Sequence, residues 1–223
     1  MTRLPLILAA GALAVTPALA ATRSEHKFAM TFSSRTPGTP TAVSFLTNRT
    51  AYKGTQAGKA ADRVTTTTFT MAPGTRTNLA AFPKCSKAAL QANPASGCSG
   101  ASKVGTGSAS VIVGTLQPTP FTATLYVARH GLLALLVGAQ TQIIGMTVSG
   151  NKIVAKVPRT CFPANCKGNY IEAVLKKLTI HLNKGKLITT PRTCPKSGKW
   201  TNSVVYKYVN GDTERETSSS PCK

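Results

Sequence analysis

Acidic side chains are scarce in this sequence, which has six Asp and Glu residues against 27 Lys and Arg and a formal net charge of +21 over 223 residues. Enzymes that depend on paired carboxylates, such as glycosidases and two-metal nucleases, are therefore disfavoured, as are acid-rich calcium sites. Charged residues make up only 15% of the chain, which is below the usual share, so much of the surface must consist of Ser, Thr, Gly and Asn. Hydrophobic residues reach 42%, too many for a disordered tail.

Catalytic signatures are also missing. The sequence has neither a G-x-S-x-G nucleophile elbow nor a glycine-rich phosphate-binding loop. Its three histidines are His26, His130 and His181, and a hydrolytic triad needs one of them beside both a nucleophile and a group that orients the ring. We therefore expect a non-catalytic protein without a cofactor. The alternative is an exported hydrolase with a His-dependent site, for instance one that uses His130 and Asp62.

Long hydrophobic runs are confined to the beginning of the chain. Arg3 is followed by an apolar stretch over residues 4–15 and by Ala18-Leu19-Ala20, the A-x-A pattern of a secretory cleavage site. The apolar stretch is shorter than the roughly 20 residues of a membrane span. We interpret residues 1–20 as a signal peptide and residues 21–223 as the secreted chain. The most apolar later run, residues 132–137, has only strand length, so we expect no transmembrane segment after signal removal and an extracellular or cell-envelope location.

Six cysteines predict a disulfide framework, because exported proteins fold in oxidising compartments and the number is even. Spacing along the chain favours three short loops, Cys85–Cys98, Cys161–Cys166 and Cys194–Cys222, each expected to contribute roughly 2–4 kcal/mol. Six cysteines allow many other pairings, and those stay open. The alternative of a zinc site at Cys161 and Cys166 lacks a second Cys/His pair at matching spacing, so no metal site is expected.

Apolar residues alternate with polar or small ones along most of the chain, and this period of two predicts β-strands. Phe28, Met30 and Phe32 alternate with polar or small residues, and residues 64–71 are almost all β-branched. Turn residues such as those of the Asn210-Gly211 pair separate these segments at short spacing. The pattern predicts an all-β fold, specifically a two-sheet antiparallel sandwich of jelly-roll or immunoglobulin-like type.

One short helix is expected within residues 84–92, inside the first disulfide loop, where KCSKAALQA contains good helix formers. We expect a single β-sandwich domain over residues 21–223. The alternative is two closely fused subdomains that join near residues 116–121.

Several short motifs carry a resemblance that covers most of the expected mature chain. They are Ala72-Pro73-Gly74-Thr75, Pro83-Lys84-Cys85-Ser86, Ser102-Lys103-Val104-Gly105, Thr190-Pro191-Arg192-Thr193-Cys194-Pro195 and Lys199-Trp200, together with Cys98, Asp212 and Cys222. A chain with these motifs resembles a group of secreted, β-rich, disulfide-containing proteins of actinobacteria. The motifs are those of turns and disulfides, so the resemblance supports the Cys85–Cys98 and Cys194–Cys222 pairings and implies no catalytic residue.

Positive charge is the strongest functional feature of the sequence. The candidate binding residues are basic and lie in the C-terminal third: Lys176, Lys184, Lys186, Arg192, Lys196 and Lys199. Such a surface attracts polyanions by Coulomb forces that salt screens. We expect a non-catalytic structural or binding protein of the cell envelope or the extracellular space that attaches to an anionic cell-wall polymer or acidic polysaccharide through this surface.

Two other interpretations of the charge stay open. The Lys and Arg residues can serve only to keep a Ser- and Thr-rich secreted protein soluble. Binding of nucleic acid would require aromatic side chains on which bases stack, and only Trp200, Tyr206 and Tyr208 lie among the basic residues. Specific recognition of nucleic acid is therefore not expected.

Overall fold

Strands dominate the structure, a computed structural model that describes residues 24–52, 63–113, 118–138, 140–159, 161–162 and 171–223. The predicted signal peptide, residues 1–20, lies outside the described residues. The elements in chain order are β1 (Ser24–Phe32), β2 (Pro40–Thr41), β3 (Val43–Tyr52), β4 (Val64–Thr70), β5 (Arg76–Thr77), a 3-10 turn (Leu79–Ala81), α1 (Lys87–Ala92), a second 3-10 turn (Gly100–Ser102), β6 (Lys103–Val113), β7 (Thr119–Ala128), β8 (Gly131–Val137), β9 (Thr141–Ser149), β10 (Lys152–Lys156), β11 (Cys161–Phe162), β12 (Ile171–Leu182), β13 (Ile188–Thr189), β14 (Lys199–Tyr208) and β15 (Thr213–Pro221). The all-β prediction is confirmed, and α1 lies in the loop between Cys85 and Cys98.

One large antiparallel sheet, nearly closed into a barrel, replaces the predicted two-sheet sandwich, which is not confirmed. Hydrogen bonds connect the strands in the order β1-β3-β12-β6-β7-β8-β9-β10-β4-β14-β15, with β11 added beside β12. Both sides of the core therefore belong to one curved sheet, whereas a jelly-roll or immunoglobulin-like sandwich has two separate ones. The alternative subdomain boundary near residues 116–121 lies partly outside the described residues and stays a prediction.

The number of strands sets the relative direction of β1 and β15, which face each other across the gap. Each strand on the path runs antiparallel to its neighbours. The path contains eleven strands, and an odd number of alternating strands leaves the first and last running in the same direction. The antiparallel hydrogen-bond pattern therefore cannot continue across the gap between β1 and β15.

Side chains close this gap in place of a backbone ladder. The Met30 N–H donates to Ser218 Oγ at 2.9 Å, and the Met30 carbonyl accepts from Ser220 Oγ at 3.0 Å. Asn202 lies at the same place with 1% of its surface exposed. Its Nδ2 donates to the Met30 carbonyl at 3.2 Å, and its Oδ1 accepts from the Ala72 N–H at 2.9 Å. We call these residues (Met30, Ala72, Asn202, Ser218 and Ser220) the seam cluster.

Glycine at position 107 lets β6 and β12 approach each other closely. A Cβ atom at Gly107 would lie 2.1 Å from the Thr179 carbonyl oxygen and 3.0 Å from the Ile180 Cα. Any larger residue would therefore push the two paired strands apart.

A small sheet in the order β2-β13-β5 covers one end of the barrel. Leu187 and Ile188, at the start of β13, are each only 1% exposed. Above this sheet the interior is filled by large side chains, among them Trp200, whose ring meets that of Phe32 edge-on at 5.6 Å. Trp200 is 2% exposed, and its Nε1–H donates to the Thr193 carbonyl at 2.9 Å, so the polar atom of the buried indole is satisfied.

Strand β8 is buried on both faces, which explains its unbroken apolar sequence GLLALLV. Leu132 and Ala134 pack inside the barrel, whereas Leu133 and Leu135 pack in a separate cluster with Leu90 of α1. The helix begins after Ser86, whose Oγ accepts a hydrogen bond from the Ala89 N–H. The first disulfide loop therefore acts as an outer cover for the middle of the sheet.

Two of the three predicted disulfides are confirmed, Cys85–Cys98 and Cys194–Cys222. The predicted Cys161–Cys166 bond lies outside the described residues, which include the backbone of Cys161 but not its side chain or Cys166. Disulfides of this kind fit an extracellular protein. In the described part of the chain, no helix is long and apolar enough to cross a membrane.

Replacing Asn202 should show how strongly the seam cluster stabilises the fold. We expect Asn202→Ala to lower the free energy of unfolding by about 2–4 kcal/mol, because it leaves the Ala72 N–H without its acceptor in a buried site. Thr201→Ala, at the exposed neighbouring position, is the matched control and should change it by less than about 0.5 kcal/mol. Urea unfolding of both variants measures the difference, and equal stabilities would contradict the role of the cluster.

Candidate functional site

The two ends of the barrel differ in the strands that finish there and in what covers the interior. At the basal end, strands β1, β4, β7, β9, β12 and β15 finish and the small sheet covers the interior. At the distal end, strands β3, β6, β8, β10 and β14 finish. We define the basal end by residues 33–42, 71–85, 100–103, 128–131, 149–152, 183–199 and 222–223.

Five of the six predicted binding residues lie together at the basal end. Lys184 and Lys186 follow β12, Arg192 and Lys196 lie between β13 and β14, and Lys199 is the first residue of β14. All five side chains are exposed. The Cys194–Cys222 disulfide and the backbone hydrogen bond from the Cys222 N–H to the Gly198 carbonyl, at 3.0 Å, hold this loop against the end of β15.

Lys176 does not belong to this group. It is exposed on β12, six residues before Leu182, which at the rise of an extended strand is about 20 Å from the basal end. Its closeness to the others in the sequence suggested a common surface. The length of the strand separates them.

The basal end carries more positive charge than the five predicted binding residues supply. Its residue ranges contain these exposed Lys and Arg residues: Arg35, Arg76, Lys84, Lys103, Arg129, Lys152, Lys184, Lys186, Arg192, Lys196, Lys199 and Lys223. The same ranges contain no Asp or Glu. Sequence reasoning missed Arg35, Arg76, Lys103 and Lys152 because they are far apart in the chain and come together only through the turns of the barrel.

The acidic residues lie toward the distal end. Glu25 and Glu172 are near the beginnings of β1 and β12, and Asp212 and Glu214 lie at the connection from β14 to β15. Asp62 falls outside the described residues. Because the carboxylates that the structure describes are grouped away from the basal end, none of them neutralises the cations there, and the fields of these cations add.

Of the His-dependent site in the hydrolase hypothesis, the pair of His130 and Asp62 stays untested because Asp62 lies outside the described residues. His181 is exposed, and its Nδ1 is 2.9 Å from Ser44 Oγ. Glu172 is on the same strand nine residues earlier, about 30 Å away at the rise of an extended strand, so it cannot orient the ring. His130 is exposed in the turn between β7 and β8, at the basal end. Nor do the described residues contain a group of three or more His, Cys, Asp or Glu side chains placed to hold a metal ion.

A buried polar group near the distal end was not anticipated. Only 7% of the surface of Glu214 is exposed, and its carboxylate accepts a hydrogen bond from the Tyr208 hydroxyl. Burial raises the pKa of the neighbouring Tyr206 above its ordinary value. A hydrogen bond with Thr47 acts in the opposite direction, and the negative charge of Glu214 adds to the rise.

No protein-family model, curated protein or solved structure matches this chain. Its function is therefore inferred from the geometry and the charges of the described residues alone.

The pKa shift of Tyr206 predicts how stability changes at alkaline pH. Because the folded pKa is raised, the contribution of Tyr206 is fully present below the unfolded pKa of about 10 and is lost as the pH rises above it. Between about pH 8 and about pH 11, the free energy of unfolding of the wild type should fall by about 1 kcal/mol more than that of Tyr206→Phe. Urea unfolding of both proteins at the two pH values measures this, and parallel losses would contradict the shift.

Proposed function

We propose that this chain is a secreted, non-catalytic protein of the cell envelope or extracellular space that attaches to anionic polymers through its basal end. One observation carries the proposal: twelve exposed Lys and Arg side chains and no acidic side chain in the residue ranges that form this end. The disulfide framework supports the extracellular location.

A repeating polyanion fits this surface better than a single small anion. The cations are distributed over several loops and no described pocket gathers them, so each makes a weak, solvent-screened interaction of its own. A polymer with regularly spaced phosphates or carboxylates meets many of them at once and releases its counterions, and these contributions add. The basal Lys and Arg residues need no common geometry, because long side chains at exposed positions can reorient to meet the polymer.

Nucleic acid is a poorer partner for the same surface. Trp200, Tyr206 and Tyr208 were the aromatic residues available for stacking on bases, and the structure buries all three, with 2%, 3% and 6% of their surfaces exposed. A base cannot stack on a ring that already lies inside the barrel. The proposed partner is therefore a cell-wall polymer of the teichoic type or an acidic polysaccharide.

Two charge-matched variants test the position of the surface. The basal variant carries Lys184→Gln, Lys186→Gln, Arg192→Gln and Lys196→Gln, and the control carries Lys156→Gln, Lys176→Gln, Lys177→Gln and Lys207→Gln, all at exposed positions. Both lose the same net charge. Affinity for teichoic acid and for polygalacturonate is measured over a salt series.

The basal variant should reduce the slope of log affinity against log salt by up to about 3, at about 0.7 for each lost contact. The control should reduce it by less than about 1. Equal effects in the two variants would show that only total charge matters, and affinity without salt dependence would contradict electrostatic attachment altogether. Circular dichroism and thermal unfolding confirm that both variants are folded.

A further inference from the structure

The interior of the barrel is not filled uniformly. The basal half contains large side chains such as Trp200, Met30 and Phe32. Toward the distal end the inner face instead carries alanine on three strands, Ala109 of β6, Ala134 of β8 and Ala155 of β10. The backbone of a closing sheet keeps a fixed minimum diameter, so small side chains at opposed positions leave unfilled space.

This space is an apolar cavity of about 110 Å³. Its apolar lining includes Phe121, Leu136, Ile144 and Leu178. This volume is of the same order as that of an engineered apolar cavity, about 150 Å³, which takes up benzene. The residues that line it continue to the exposed Pro158, which places its access from the distal end.

A few polar groups border one side of the cavity. Thr47, Thr67 and Tyr206 line it, all buried, and Thr47 and Tyr206 are hydrogen-bonded to each other. Gln142 lines it as well. Ligand sites commonly combine a mostly apolar wall with a small number of hydroxyl and amide groups that orient the ligand.

We propose that this cavity binds a small, uncharged, predominantly apolar molecule, with at most one hydroxyl or carbonyl group directed toward Thr47 and Tyr206. The lining contains no charged side chain among the described residues, so an ionic ligand would lose its hydration without gaining a partner. An anion would in addition be repelled by Glu214, whose charge acts on Tyr206 at this wall. The site is separate from the basal cations and does not depend on the function proposed for them.

Three related probes separate the features of the proposed ligand. Toluene is apolar and uncharged, benzyl alcohol adds one hydroxyl, and benzoate has the same ring with a negative charge. Saturable NMR shifts should appear for the methyl groups of Leu136, Ile144 and Leu178 with toluene and benzyl alcohol. Benzoate should bind at least about tenfold more weakly, because its charge is desolvated on entry.

Filling the cavity should abolish binding without damaging the fold. Ala134→Leu occupies the space from β8, and we expect binding of toluene to be lost while the melting temperature stays equal or rises, because a void is filled. Ala109→Val fills it from β6 with a smaller change and should weaken binding at least about threefold. Ala88→Leu, at an exposed position of α1, is the control and should leave binding unchanged.

Three results would overturn the proposal. The first is the absence of methyl shifts at saturating toluene. The second is an unchanged affinity in a folded Ala134→Leu or Ala109→Val protein. The third is a large drop in melting temperature in both filling variants, which would show that other atoms of the chain already occupy the space.

Discussion

Closure of the sheet by side chains is the interaction on which the rest of this structure depends. Eleven alternating strands bring β1 and β15 together in parallel, where the antiparallel ladder cannot continue. Ser218, Ser220 and Asn202 supply the missing hydrogen bonds to the N–H and carbonyl of Met30. A buried backbone group without a partner is costly, so the seam cluster allows a curved sheet to enclose a core instead of exposing two edges.

The enclosed core separates the two proposed binding features of the molecule. At the basal end, the small sheet and Trp200 fill the interior, and the connecting loops, fixed by the Cys194–Cys222 disulfide, turn their Lys and Arg side chains to solvent. Toward the distal end, alanines leave the apolar cavity, and the carboxylates are gathered there, including the buried Glu214. Proposed polymer attachment and proposed ligand binding therefore use different ends and place no conflicting demands on the same residues.

Sequence patterns identified the strands, the two described disulfides and most of the turns, because these depend on neighbouring residues. The Asn210-Gly211 turn is an example, since Gly211 has the positive φ of 90° that such a turn requires. Closure of the sheet was not predictable from the sequence. The alternation of apolar and polar residues shows which face of a strand is buried, but it does not show which strands are neighbours. Strand β12 lies between β3 and β6, far from both in the chain. For the same reason the basal surface was only partly identified, and Lys176, which was grouped with its residues, lies apart from them on β12.

The amide proton of Met30 reports on closure most directly, because its hydrogen bond goes to Ser218 Oγ across the seam and not to a strand of the ladder. Native-state hydrogen exchange followed by NMR measures its protection. If the sheet is closed as described, the Met30 amide exchanges as slowly as the amides of central strands such as β7 and β8, through opening of the whole fold. Exchange at the rate of an unprotected amide, with β7 and β8 still protected, would show that the barrel is open at this point and would contradict the account.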